Sequence, residues 1–207
     1  MPRKAQSGSK DTKQLLIEAA AHEFSVQDYD HASLRQICSR AGVTTGALYF
    51  FFENKEDLMR HTIEPLTTSV LELVKEWYLP FVSRSAMGAE EQRELDTKVA
   101  NAIFDISTEY GTQLQIAIRN REHPAVHEFI DSLTDLVELN AGRVLLGHDI
   151  ELSTEGERNS LRWFAQIQID AVLAIIDCGY TREIAVEQIL NLMKFLRGGV
   201  AAVGQDL

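Results

Sequence analysis

The sequence predicts an all-α protein, with a small N-terminal three-helix unit followed by a larger helical bundle. Three observations carry this reading. Apolar residues recur at helical spacing over long stretches. The breaks between those stretches hold Gly, Pro, Asn or Asp, the residues of helix ends and turns. Beyond Leu58 no segment reads as a strand, and the chain contains no internal repeat.

The elements follow in order. Residues 1–10 read as a flexible basic tail, with Ser, Gly and Lys over 5–10. Leu15, Leu16, Ala19, Ala20 and Phe24 then mark a first helix, for which Asp11 or Thr12 can serve as the cap. The chain turns at Gln27-Asp28-Tyr29-Asp30. A second short helix starts after Ser33, with Leu34, Ile37 and Cys38 inward, and stops at Gly42, the residue that most easily takes the left-handed conformation. Thr44 is a good cap for a third helix through Tyr49 and Phe50. Asn54 caps a fourth, whose first turn carries Glu56 and Asp57, where the helix dipole favours acids. Long amphipathic stretches follow at about 55–79, 89–110, 112–121, 125–146, 156–178 and 182–197. Pro65 should kink or offset the first of them. The expected division is a helix-turn-helix domain over 11–54 and a helical body over 55–207.

The segment from Ser33 to Tyr49 is a helix, a tight turn and a second helix. Ala41 permits close approach, Gly42 turns the chain and Val43 plugs the corner. Such a unit offers its second helix to the major groove of DNA while the first crosses the backbone. Thr44 and Thr45 suit a phosphate or a thymine methyl, Gly46 lets the backbone come close, and Ala47 could meet a thymine methyl. The Tyr49 hydroxyl and Lys55 suit phosphate. Ser33 and Arg35, at the start of the first helix, complete the candidate DNA-contacting set.

Charge distribution agrees. The chain of 207 residues carries a net charge of −11. Residues 1–61 hold eight basic and eight acidic side chains, so the remaining residues carry the whole excess. Four of the first 13 residues are basic (Arg3, Lys4, Lys10, Lys13) and one is acidic, which would steer an anion toward that end.

Residues 12–58 resemble the N-terminal domain of the TetR family of transcriptional regulators. The resemblance rests on Ala19-Ala20 and Phe24, Ile37, Ala41-Gly42-Val43, Gly46, Leu48-Tyr49, Phe52, Lys55 and Leu58. It implies a dimeric DNA-binding protein whose C-terminal helical domain takes a small effector. Three positions depart from the family pattern. Asp28 stands where Gly is usual, and Asp tolerates left-handed geometry. Ala32 replaces a common Thr, leaving Ser33 to supply the cap and phosphate contact. Phe51 stands where His or Tyr is common.

In the body, the helices at 156–178 and 182–197 are apolar on more than one stripe, so each needs covering on two sides. One side would meet the domain's own core and the other a second subunit, in an intersubunit four-helix bundle. The expected dimer surface comprises Trp163, Asp170, Leu173, Ile176, Ile189, Leu192, Phe195 and Leu196. An effector pocket between the long helices would draw on aromatic residues and on polar ones set within apolar runs. Its candidates are Trp77, Phe81, Phe104, Asp105, Arg119, Phe164 and Gln168.

Other classes find little purchase. There is no Gly-rich phosphate loop, nucleophile elbow, Cys/His pair or HExxH, so an enzyme is not expected. Cys38 and Cys178 form no disulfide framework, and His123 and His127 lack a third ligand, so neither metal nor cofactor is expected. The N-terminus has no apolar leader, and the longest strongly apolar piece, Ala171–Ile176, is far short of the ~20 residues that span a bilayer. The expectation is a cytoplasmic regulator. It would be a repressor released from a pseudo-palindromic, double-stranded operator by a small molecule. The alternative is a helical enzyme or interaction module whose helix-turn-helix is only structural.

Overall fold

In the computed structural model the backbone is described over residues 5–78, 88–145 and 154–203, and the side chains over 11–76, 88–139 and 154–198. These residues form nine α-helices and no strand. Helix α1 runs Ala5–Val26, α2 Leu34–Ala41, α3 Thr45–Phe51 and α4 Lys55–Tyr78. They are followed by α5 (Ala89–Glu109), α6 (Gly111–Arg119), α7 (Pro124–Leu145), α8 (Glu155–Asp177) and α9 (Arg182–Val203).

Local capping sets most of these boundaries. Ser33 Oγ accepts the Gln36 N–H at 3.4 Å and opens α2. Gly42, at φ +69°, closes it, and the following Val43 N–H reaches the Cys38 carbonyl at 2.9 Å. Thr44 Oγ1 accepts the Ala47 N–H at 3.2 Å and opens α3. Asn54 Oδ1 accepts the Asp57 N–H at 2.8 Å while Asp57 Oδ2 accepts the Glu53 N–H at 3.0 Å, two side-chain caps at the start of α4. Thr154 and Glu157 make a full capping box before α8. Pro124 takes the first position of α7, where its missing N–H costs nothing. Pro65 lies inside α4 and withholds a donor from the carbonyl one turn earlier.

Two sequence expectations are corrected here. Helix α1 begins at Ala5, so Asp11 and Thr12 lie inside it rather than at its cap, and residues 5–10 are helical rather than a loose tail. Ala5, Gln6 and Lys10 are good helix formers, and the single Gly8 costs only about 1 kcal/mol. Nor is Asp28 left-handed: among the described residues only Gly42 and Gly179 have positive φ. Asp28 instead accepts the His31 N–H at 3.1 Å and closes the turn with its side chain. Most of the breaks expected between the stretches 55–79 and 89–110, and between 125–146 and 156–178, lie outside the described residues.

The chain forms two compact units. The first runs to Thr68 and also takes in Tyr110–Phe129; the second comprises Ser69–Glu109 and the chain from Ile130. In the first, Leu16, Ala20 and Phe24 of α1 are buried with Ile37 of α2, Leu48 of α3 and the Phe52 that follows it, and α6 packs against α1. In the second, α9 packs on α5 and α8. Its buried residues include Ala100, Leu133, Val137, Leu161, Ala165, Ile169, Ala185 and Ile189. Asp96 is buried too, its carboxylate held by Arg197 across 101 positions and by Gln92 Nε2 at 2.9 Å.

Candidate nucleic-acid interface

The turn from α2 to α3 places a seven-residue helix on the surface with one face bare. Leu48 is fully buried and holds α3 to the core, while Thr45, Gly46, Tyr49 and Phe50 are exposed. Those four fall at i, i+1, i+4 and i+5, one continuous stripe along the helix. Ala47 and Phe51, at its flank, are half-buried. Thr44 is exposed, and its oxygen accepts within the cap while its hydroxyl hydrogen can still donate outward. Ser33 is half-buried in its capping role, with its N–H donating to the buried Glu23 carboxylate at 3.1 Å, and Arg35 is exposed on the first turn of α2.

Lys55 is seated more firmly than its sequence position suggests. Its Nζ stands 4.6 Å from the Tyr29 ring centroid and donates to the Asp30 carbonyl at 3.4 Å. Burial pulls the ammonium below its ordinary 10.5, against the opposing pull of Asp30, Asp28 and Glu23. Lys13 is placed alike, 5.5 Å from the ring of Phe52. Both cations near α3 are thus carried on aromatic faces.

Tyr29 organises the ground beneath. Its ring stacks on Phe24 at 6.0 Å and lies 3.9 Å from the His123 ring, and its N–H donates to Asn120 Oδ1 at 2.7 Å. Burial raises the Tyr29 phenol and lowers the His123 imidazole from their ordinary values. His123 Nδ1 accepts the Ala125 N–H at 3.2 Å, so this imidazole helps to start α7. Arg60 of α4 bonds Glu56 one turn back, at 2.9 Å, and Glu128 of α7. The corner between α6 and α7 is therefore fixed to the turn that precedes α2.

Two residues lie outside the sequence reading: Phe50 on this surface and Asn120 buried beneath it. Phe50 could have been found, since it shares the helical stripe of Gly46 and Tyr49. Asn120 acts across 91 positions, which no spacing rule reaches.

The residues expected in an effector pocket do not all gather. Asp105 is not buried among apolar groups but more than half exposed, bonded to Arg182, whose guanidinium also lies 4.8 Å from the Phe104 ring centroid. A helix turns about 100° per residue, so Asp105 shares the outward face with Thr108 three positions on, while its neighbours in AIFDIS are half-buried. Arg119 is exposed at the end of α6, in the first unit. Phe104, Phe164 and Gln168 are half-buried in the second. The side chain of Trp77, and Phe81 altogether, lie outside the described residues.

On α8 and α9 the apolar residues divide between two sides. Leu161, Ala165, Ile169, Ala185 and Ile189 are buried, while Trp163 (74%), Phe195 (76%), Ile167 and Ile184 are exposed. Leu173, Ile176, Leu192 and Leu196 are half-buried and Asp170 is exposed. Ile189 corrects its expectation. At 0% exposure it belongs to its own chain's core and is unavailable to a partner.

Residues 16–62 match the family model described as "Bacterial regulatory proteins, tetR family". The chain is 35% identical over 81 residues to the HTH-type transcriptional regulator AcrR of Shigella flexneri, covering 39% of this chain and 38% of that protein. It is 23% identical over 155 residues to the fatty acid metabolism regulator protein of Bacillus subtilis (strain 168), covering 68% and 74%. The chain spans less than two thirds of the length of the first relatives it matches at 33–35% identity. Its fold is that of a TetR-like transcriptional regulator from Rhodococcus sp. RHA1, with a TM-score of 0.65, 17% identity and coverage of 97% of this chain and 98% of that one.

Proposed function

We propose that the chain, whose residues 16–62 match the model of the tetR family, is a DNA-binding transcriptional regulator that acts as a repressor. In this reading it binds a pseudo-palindromic operator as a homodimer and leaves it when a small molecule binds the helical body. One observation carries the reading: α3 is capped, anchored by Leu48 and bare along Thr45, Gly46, Tyr49 and Phe50. A helix that only braced its own domain would have no need of such a stripe beside two seated cations.

In this proposal Thr45, Gly46 and Ala47 approach base edges. Thr44, Tyr49, Ser33 and Arg35 contact the backbone, and Lys55 meets phosphate from its seat on Tyr29. The exposed apolar residues of α8 and α9 support the dimer, whose two-fold axis would match that of the operator. Effector release requires that the ligand bind one spacing of the reading helices better than another. Half-buried Phe104, Phe164 and Gln168 are consistent with a mostly apolar ligand bearing one or two polar groups.

The test is a mobility shift on duplexes selected from a random pool. The expected result is a palindromic consensus whose binding weakens steeply with salt, and Ala47→Glu should abolish it without loss of fold. A chain that selects no consensus, or an Ala47→Glu variant that binds like wild type, would exclude this helix as the reading head. The competing reading, a structural helix-turn-helix, gives the first of those outcomes.

A further inference from the structure

A reading helix must recognise base edges with whatever side chains it exposes. The seven residues of α3, TGALYFF, include no charged group and no side-chain amide. Bidentate recognition of guanine by Arg or Lys, or of adenine by Asn or Gln, therefore cannot come from this helix. Its bare stripe offers two hydroxyls, a glycine and one large apolar ring. In the major groove the apolar feature of a base pair is the thymine 5-methyl group.

Phe50 is the most exposed large apolar side chain among the described residues, at 78%. It is not a loose ring. Phe51 meets it edge-on, with centroids 5.0 Å apart and planes at 90°, which fixes the direction it presents. One turn earlier on the same stripe is Gly46. A Cβ built there would meet nothing nearer than Thr44 Oγ1 at 3.7 Å. Side chains on a helix lean toward its N-terminus, so a residue larger than Gly at 46 would stand beside the Phe50 ring. The bare Gly46 leaves that flank of the ring open to an incoming base edge.

We propose that the chain reads its operator through thymine 5-methyl groups, with Phe50 as the specificity-determining residue that meets them. This rests on the DNA-binding reading above. The nearby cations, Lys13 and Lys55, position the helix on phosphate and carry no sequence information. Discrimination at the pair facing Phe50 then falls to the methyl group, and an adenine–thymine pair there in each half-site is required for its methyl.

The test uses the full chain and the duplex selected from the random pool, with thymines replaced one at a time by uracil, which differs only by the methyl. Replacing the thymine that meets Phe50 should weaken binding about fourfold in one half-site, the worth of one buried methyl, and roughly fifteenfold in both. Phe50→Ala should bind the thymine and uracil duplexes equally, and Phe50→Leu should keep part of the difference. A 5-methylcytosine–guanine pair at that position should bind better than an unmethylated cytosine–guanine pair. Because Phe50 is exposed, the variants should melt like wild type.

Uracil duplexes bound within twofold of the parent at every position would overturn the inference, while the selected consensus itself would leave the regulator reading intact. A uracil penalty that persists unchanged in Phe50→Ala would also overturn the assignment to this residue. Failure of wild type to select any duplex would remove both.

Discussion

The Asn120 side-chain oxygen accepts the Tyr29 N–H at 2.7 Å in a nearly waterless setting, and its amide nitrogen donates to the Ile116 carbonyl at 2.8 Å. Removing the acceptor would leave a backbone donor stranded beneath the Tyr29 turn. Asn120→Ala should therefore cost about 1–3 kcal/mol in urea unfolding, and Asn120→Asp, which keeps an acceptor, should cost less. The neighbouring His123 adds a pH dependence. Burial lowers its imidazole from the ordinary 6.5, against the raising influence of Glu56 and Asp30 and together with the lowering influence of Arg60 and Lys55. The fold thus favours the neutral ring. That contribution is complete above pH 6.5 and is lost as pH falls below it toward the folded-state value. The urea midpoint of wild type should drop between pH 7.5 and pH 5.5 by more than that of His123→Gln. Equal drops would remove His123 from the account.

Among helices, two ion pairs of similar appearance should differ in worth. Arg60 bonds Glu56 and Glu128 with all three groups at least two-fifths exposed, so Arg60→Ala should cost no more than about 1 kcal/mol and less in high salt. Arg197 instead satisfies Asp96, whose side chain is 9% exposed on α5. Arg197→Ala leaves a buried carboxylate without its cation and should cost about 3 kcal/mol, measured by the same unfolding curves. The contrast also marks what could be read in the sequence. The capping interactions of Ser33, Thr44 and Asn54 each act within three residues, and for that reason the helix-turn-helix and its helix limits were legible. The partners of Asp96, Glu23 and Tyr29 were not. A buried polar group announces that it needs a partner but not which distant residue supplies it. The start of α1 was missed because Ser7 and Gly8 resemble a tail, although neither forbids a helix. Phe50 was missed for another reason. Tyr49, Phe50, Phe51 and Phe52 look alike in composition, although helical spacing already sets Phe50 on the side away from Leu48, which is buried.

At the scale of the whole molecule, the split of α8 and α9 into a buried and an exposed side refines the test of the dimer. Phe195→Glu or Ile167→Glu changes only exposed positions, so each should give a folded monomer in sedimentation and a loss of DNA affinity. Ile189→Glu places a charge in the core and should yield unfolded protein rather than a clean monomer. A wild-type chain that sediments as a monomer at micromolar concentration would contradict the assembly. The seating of Lys13 and Lys55 on aromatic rings also bears on how the molecule reaches its target. Attraction to arbitrary DNA grows with the number of phosphates a protein neutralises, and here the body carries an excess of 11 negative charges. The acidic body opposes that attraction, so the molecule holds operator-free DNA only through the cations of its N-terminal part, and less as salt rises. It should hunt by repeated collision from solution rather than by sliding along the duplex. Its stays on operator-free DNA, watched one molecule at a time, should be brief and nearly motionless.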